Sequence, residues 1–425
     1  MIKTFFTLPL ILVSLWVNFV AKNESQSSEM TMCMSVPTDG VYQKSSPDYD
    51  NTYSIFENDT TKAYTMPLLA KTSKGEIMLS WTEKDLQGNT SFCIAFSKDN
   101  GKTFAEKKII FSSPGIGNSR MMRARVLAKK DGSLVAVFIN NSAPQAGGSG
   151  RGGRSSNIVY CVSKDNGSTW TLPAPVDSDP KQGIVRGFFD AIVMSNDEIA
   201  VVYLKDVANS TKHEERDLRL VVTKNGVMQP EKLIDPVVCD CCPINMLIDA
   251  DGALNVIYRD NNDNIRDMAR MVSTDNGATF SKPEIILNDG WKINGCPHSG
   301  AVSTTFGKSA LVAWFSGTES NSGVRLATRE GKKLFVLDDA SIKNPYLVES
   351  SKSAIILWEQ NAENSISKLA YRKINNNKVS ETAWVDGSAN ATNSVALTVD
   401  NQILVAYEVK QANKRNTIKL SSLSI

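Results

Sequence analysis

Along most of this chain, apolar and polar residues alternate over short runs, each ended by a turn, and no stretch sustains a helical period. The runs come in pairs: an apolar strand, a turn, then a second apolar strand closing on an aromatic residue. The turns fall at Gly75, Gly132, Asp197, Gly252, Gly307, Lys352 and Asn401. The aromatics are Trp81, Phe138, Tyr203, Tyr258, Trp314, Trp358 and Tyr407. The turns recur every 45 to 65 residues, room for four antiparallel strands and one long loop. Such a unit cannot bury its apolar faces alone and must stack on its neighbours. The pattern therefore predicts an all-β chain, a β-propeller of four-stranded blades with seven blades counted and six as the other option. The seventh repeat stops after what reads as its third strand, Thr417 to Leu423. A segment near Thr52 to Phe56 is expected to supply the missing outer strand and close the ring.

A second repeat is laid over the first. The phrase Ser97-Lys-Asp99-Asn-Gly101-Lys-Thr103-Phe104 returns as Ser163-Lys-Asp165-Asn-Gly167-Ser-Thr169-Trp170 and as Ser273-Thr-Asp275-Asn-Gly277-Ala-Thr279-Phe280. Asp and Asn bond their own backbone, Gly supplies a positive φ, and the aromatic returns to the core. The phrase resembles the Asp box (BNR repeat) of the sialidase (neuraminidase) superfamily and other β-propellers. In that family the box lies away from the active site, so the resemblance implies a fold more directly than a function. The family's sialidases have six blades, against seven counted here.

The ends and the charge balance narrow the setting. Met1-Ile-Lys3 followed by the apolar run from Phe5 to Ala21 reads as a secretory signal peptide, with an uncleaved anchor as the alternative. Residues 22–50 are polar and read as a tether, leaving 51–425 as a single propeller domain. The chain is expected to be exported, periplasmic or extracellular, with no membrane span in its mature form. There are 47 basic and 45 acidic residues and no basic stripe, which argues against nucleic acid as a partner.

Strand direction sorts residues onto faces. The starts of first strands, ends of second strands and starts of third strands share one face; the Asp boxes lie on the other. The axial rim then includes Met66-Pro67 and Glu83, Arg120, Arg123 and Asn140, Phe188, and Ser316, Asn344 and Glu408. The sialidase resemblance implies three arginines on a sugar carboxylate, a Tyr activated by a Glu as nucleophile, and an Asp as acid/base. Guanidinium forks suit carboxylates, and paired acids suit an oxocarbenium-like centre. The family's opening Arg-Ile-Pro phrase is Thr65-Met66-Pro67 here, so its first arginine is absent. The candidates are Arg186, Arg259, Arg266 and Tyr258 for substrate binding and Asp190, Asp260, Asp267 and Glu359 for catalysis. A structural reading, in which Arg259-Asp260 and Arg266-Asp267 satisfy their own loop, stays open. The expected ligand is a glycan or other small acidic molecule.

Four of the seven cysteines crowd two adjacent first-strand starts, Cys239-Asp-Cys241-Cys242-Pro and Gly-Cys296-Pro-His298-Ser-Gly. Two readings stand side by side. Oxidised, they would staple blades four and five; reduced, Cys239, Cys241, Cys242, Cys296 and His298 would form a soft site for copper or zinc. Two functions follow: a sialidase-like glycoside hydrolase acting on acidic glycans, or a non-glycosidase binding propeller organised on the cysteines. Cys93 and Cys161 read as small buried apolar residues.

Overall fold

A computed structural model describes residues 33–34, 52–54 and 61–424, apart from 142–155, 180–183, 208–214, 351–352, 363–365, 376–377 and 412–414. The expected signal peptide, most of the tether and the turn at Lys352 lie outside the described residues. Within the tether, Cys33–Met34 pairs antiparallel with Thr169–Trp170.

Seven antiparallel sheets follow one another in chain order. Blade 1 runs Ala63–Lys71, Ile77–Lys84, Thr90–Ser97 and Lys108–Ser113. Blades 2 to 6 occupy 116–175, 186–238, 245–285, 301–337 and 343–384. Blade 7 comprises Ala391–Val399, Gln402–Lys410 and Asn416–Ser424, and takes its outer strand from Thr52–Ser54, with Tyr53 opposite Leu420. The ring closes as the truncated last repeat requires. No helix occurs among the described residues, so the all-β, seven-bladed reading holds.

Each second strand carries its blade aromatic into the core, and all seven are at most 1% exposed. Their polar tips are satisfied, as buried Trp and Tyr require. Trp314 Nε1 donates to Asp289 at 2.7 Å, Trp358 Nε1 to Gln360 at 2.9 Å, and the Tyr203 hydroxyl to Glu231 at 2.6 Å.

The innermost strands share an irregularity with functional consequences. In blade 1 the register skips from Thr65 opposite Thr82 to Leu68 opposite Ser80, so Met66-Pro67 bulges opposite Trp81. The same two-residue bulge faces Tyr203 (Phe188-Phe189), Trp358 (Asn344-Pro345) and Tyr407 (Asn393-Ser394). The first residue of each has φ of 51° to 54°. Bulges re-aim side chains; here they turn the ring's inner edge toward the axis. In blade 2 the bulge grows into a loop, residues 118–124, between Gly117 (opposite Ile139) and Arg125 (opposite Val137).

The Asp boxes repeat one hydrogen-bond pattern on the opposite rim. Thr103 N–H donates to Asp99 at 2.9 Å, Thr103 Oγ1 to Asp99 at 2.6 Å, and Gly101 N–H to Ser97 Oγ at 2.9 Å. The copies at Asp165 and Asp275 match it. Glycine is required twice over: φ at Gly167 is 79°, and a Cβ there would lie 2.7 Å from Ile94 Cδ1 of the preceding blade. Each box thus also seats one blade on the next.

Candidate functional site

The bulges surround a cavity of about 140 Å³ on the axis. Its wall combines residues of those irregular segments (Arg120 and Arg123 of blade 2, Phe189, Asn344, Asn393 and Ser394) with neighbours on the same strands and turns, among them Arg125, Asn245, His298, Ser299 and Tyr346. All seven blades contribute to the wall, blade 1 through Leu68 and blade 5 through Ala301 and Val302.

Three guanidiniums come from one short segment. Arg125 pairs with Asp190 at 2.7 Å, and that carboxylate also accepts the N–H groups of Ala191 and Met246 at 2.8 Å each. Arg123 donates to the Pro67 carbonyl at 3.1 Å and the Asn393 carbonyl at 3.4 Å. Among the described residues neither Arg120 nor Arg123 has a carboxylate at ion-pairing distance. Burial, reinforced by the neighbouring Arg125, pulls the Arg123 guanidinium down to about 10, against the pull of Tyr346 and of the Glu408 and Glu359 carboxylates. Burial also pushes up the Tyr346 phenol, which Arg125 and Arg123 oppose, and the Asp190 carboxyl, which Arg125 opposes.

Carboxylates behind the wall hold the bulges in place. Glu408 accepts Met66 N–H at 2.7 Å, Asn393 Nδ2 at 3.0 Å and Asn416 Nδ2 at 2.5 Å. Glu359 accepts Asn393 N–H at 2.7 Å; burial raises its carboxyl, while Asn393, Asn344 and Arg120 oppose. Both follow a blade aromatic, so in blades 6 and 7 this position fastens the blade to the bulge of the next. Arg259 holds the corresponding place in blade 4 and donates to the Ser299 carbonyl of blade 5 at 3.0 Å.

The residues singled out from sequence fall in separate places. Asp190 and Glu359 stand at the cavity, in its wall's support. Arg186 is not on that wall: it is 2% exposed and its Nε bonds Asp177 at 2.5 Å, in a network with Lys205, Asp179 and Glu231. Tyr258 is a blade aromatic whose hydroxyl donates to Asp235, so its tip points away from the axis. In the loop of Arg259, Asp260, Arg266 and Asp267, Arg259 and Asp267 are satisfied through main chain, whereas Arg266 Nε and Nη1 have no partner among the described residues. Arg259 donates to the carbonyls of Arg266 and Phe315, and Asp267 accepts Gly290 N–H at 2.9 Å and Trp291 N–H at 3.2 Å. Asp260 accepts Asn261 N–H and Asn262 Nδ2, each at 2.8 Å.

Beside the cavity lies the thiol cluster. The sulfurs of Cys239, Cys241 and Cys242 lie within 4.8 Å of one another, as do the donor atoms of Cys241, Cys296 and His298. The first three are buried, and Cys296 and His298 are exposed. Cys239 Sγ is 3.4 Å from Cys242 Sγ. The six cysteines whose side chains are described are free thiols. Burial opposes ionisation of Cys242, yet the Cys239 and Cys241 thiols, Arg259 and Ser299 N–H together hold it well below the usual thiol range. Cys93 and Cys161 are fully buried in third strands, far along the ring.

No protein-family model matches this chain, and no curated protein matches it. Solved structures do. The Hadza microbial sialidase Hz136 aligns with a TM-score of 0.50 at 12% identity, over 89% of this chain and 68% of that one. A Trypanosoma rangeli sialidase in complex with sialic acid gives 0.49 at 15%, over 84% of this chain and 54% of that one. A PL25 ulvan lyase, a polysaccharide lyase, gives 0.49 at 11%, over 86% and 94%. The chain thus spans about two thirds of the first sialidase and about half of the second. At such identity the likeness establishes the fold, a sialidase-like β-propeller.

Proposed function

We propose that this protein acts on carbohydrate and that its axial cavity receives an anionic sugar residue, with Arg120 and Arg123 holding the anion. The observation that carries this reading is the blade 2 loop, which sets two guanidiniums without carboxylate partners among the described residues onto the wall of a small cavity. Half-buried Arg123 and exposed Arg120 are both short of a counter-charge, which favours an anionic ligand, and the planar fork suits a carboxylate or sulfate. At about 140 Å³ the cavity is small beside the roughly 300–1,000 Å³ usual for ligand pockets, which suits one terminal residue rather than a run of them. The similar Hadza microbial sialidase, a carbohydrate enzyme, agrees with the substrate class.

In this reading the reaction is glycoside hydrolysis. Tyr346 is the nucleophile; burial pushes its phenol up, and the neighbouring Arg125 and Arg123 guanidiniums offset part of that rise. Asp190 is the proton carrier, because burial lets it keep a proton to higher pH than an exposed Asp. Export places the protein where polymeric glycans are found. The test is calorimetric binding and turnover on a panel of sialylated, uronic and sulfated sugars beside neutral ones. Arg123→Gln should weaken the acidic ligand by about tenfold or more, the worth of one charged hydrogen bond. Tyr346→Phe should keep binding and lose turnover. Equal affinity for neutral and acidic sugars, or unchanged binding in an Arg120→Gln/Arg123→Gln variant, sinks the proposal.

A further inference from the structure

We propose that Cys239, Cys241, Cys242, Cys296 and His298 form a binding site for a thiophilic metal ion, and that the ion is Cu(I). This stands apart from the role of the sugar cavity. The donors form two triads that share Cys241, each with its ligand atoms within 4.8 Å of one another. Four thiols and an imidazole are a soft set, chosen by Cu(I) or zinc over oxygen-seeking ions. A structural zinc requires four donors in a tetrahedron. Here each triad offers three, and a thiolate common to both suits an ion content with low coordination and bridging sulfur. That favours copper.

The two turns that carry the donors are held from outside. Gly300 lets them meet: a Cβ there would lie 2.3 Å from the Pro243 carbonyl oxygen, so any larger residue would drive Cys296 and His298 away from Cys241. His298 itself sits at φ 50°, a left-handed backbone that only a fixed loop imposes on such a residue. Arg216 Nη1 donates to the Asp240 carbonyl between two of the cysteines, and Arg259 Nε donates to the Ser299 carbonyl next to His298. Arg266 is 2% exposed, and its Nε and Nη1 have no hydrogen-bond partner among the described residues. Several thiolates around a monovalent ion carry net negative charge, which these guanidiniums offset. Partners behind the ligands are part of a metal site's construction.

The test uses the full chain, purified anaerobically and reduced, then offered Cu(I) against a competing Cu(I) chelator, with zinc as a parallel arm. The expected result is stoichiometric copper that the chelator removes only in excess, with sulfur-dominated coordination by X-ray absorption. Cys241→Ser should lose it, Arg216→Lys should weaken it by about 10–100-fold, and Cys161→Ala should leave it unchanged. Should Cys241→Ser misfold, exposed Cys296→Ser carries the same test, with circular dichroism checking the fold. Retention of zinc that copper does not displace, no metal held after reduction, or equal copper in wild type and Cys296→Ser overturns the proposal.

Discussion

Replacing Arg125 by Met removes the direct partner of a buried carboxylate while keeping the aliphatic stem. The Asp190 side chain is 4% exposed and Arg125 28%, at 2.7 Å. Breaking a fully buried pair costs about 3–5 kcal/mol. Because Arg125 is partly exposed, and Ala191 and Met246 N–H still serve the carboxylate, the lower end, about 3 kcal/mol, is expected near neutral pH. The sign with pH is specific. Burial raises the folded-state carboxyl of Asp190, so its contribution to stability is full below the unfolded value near about 3.9. It is lost as pH rises through the folded value. Without Arg125 that folded value climbs further, so the deficit should grow between about pH 4 and about pH 8. Urea unfolding followed by tryptophan fluorescence measures this. Arg125→Met/Asp190→Asn should regain about 2 kcal/mol of the loss at the upper pH. A deficit flat with pH, or a double variant no more stable than the single, refutes the reasoning.

The Asp boxes and the blade staples give two further tests. Hydrogen bonds from Thr103, Thr169 and Thr279, working against burial at Asp99 and Asp165, depress all three Asp carboxyls, Asp275 to about 2. Their stabilising effect is therefore present above the unfolded value and lost as pH falls through the folded ones. A triple Asp→Asn variant should lose less melting temperature than wild type on acidification from about pH 4 to about pH 2, and parallel curves would contradict this. Glu408→Ala strands Met66 N–H and two asparagine amides and should cost about 2–4 kcal/mol in urea unfolding, partly regained by Glu408→Gln. A loss below about 1 kcal/mol would show that the carboxylate does not fasten blade 7 to blade 1.

The fold was legible because its signals are local and repeated. A turn six or seven residues before an aromatic needs no long-range knowledge, and the strand near Thr52 follows from counting strands in the last repeat. The meeting of Cys241 with Cys296 and His298 was legible for the same reason, since both phrases open neighbouring blades. The cavity arginines were only half legible. Strand direction placed Arg120 and Arg123 at the rim, but nothing periodic marks residues 118–124 as an enlarged bulge. A usable signal exists in hindsight: Arg120 and Arg123 fall where Met66-Pro67 and Asn344-Pro345 fall, opposite a blade aromatic. Arg186 resembled a ligand-binding residue because it opens a strand. Its fate was set by Asp177, which gathers both Arg186 and its cross-strand partner Lys205, a contact no spacing reveals.

A shared steric device shapes much of the inner edge. In blades 1, 3, 6 and 7 the large aromatic of the second strand faces a bulge on the strand beside it, and that irregularity aims backbone and side chains at the axis, whereas in blade 5 Trp314 faces Ala301 in regular register. What each blade presents there depends on the few residues occupying its break. Blade 2 spends them on arginine, blades 6 and 7 on asparagine, and blades 4 and 5 on cysteine and histidine. The loop Cys296–Gly300 serves twice: His298 and Ser299 line the cavity, and Cys296 and His298 complete the thiol triad. Because Gly300 packs against Pro243 with no spare room, that loop cannot shift to improve one site without moving the ligands of the other.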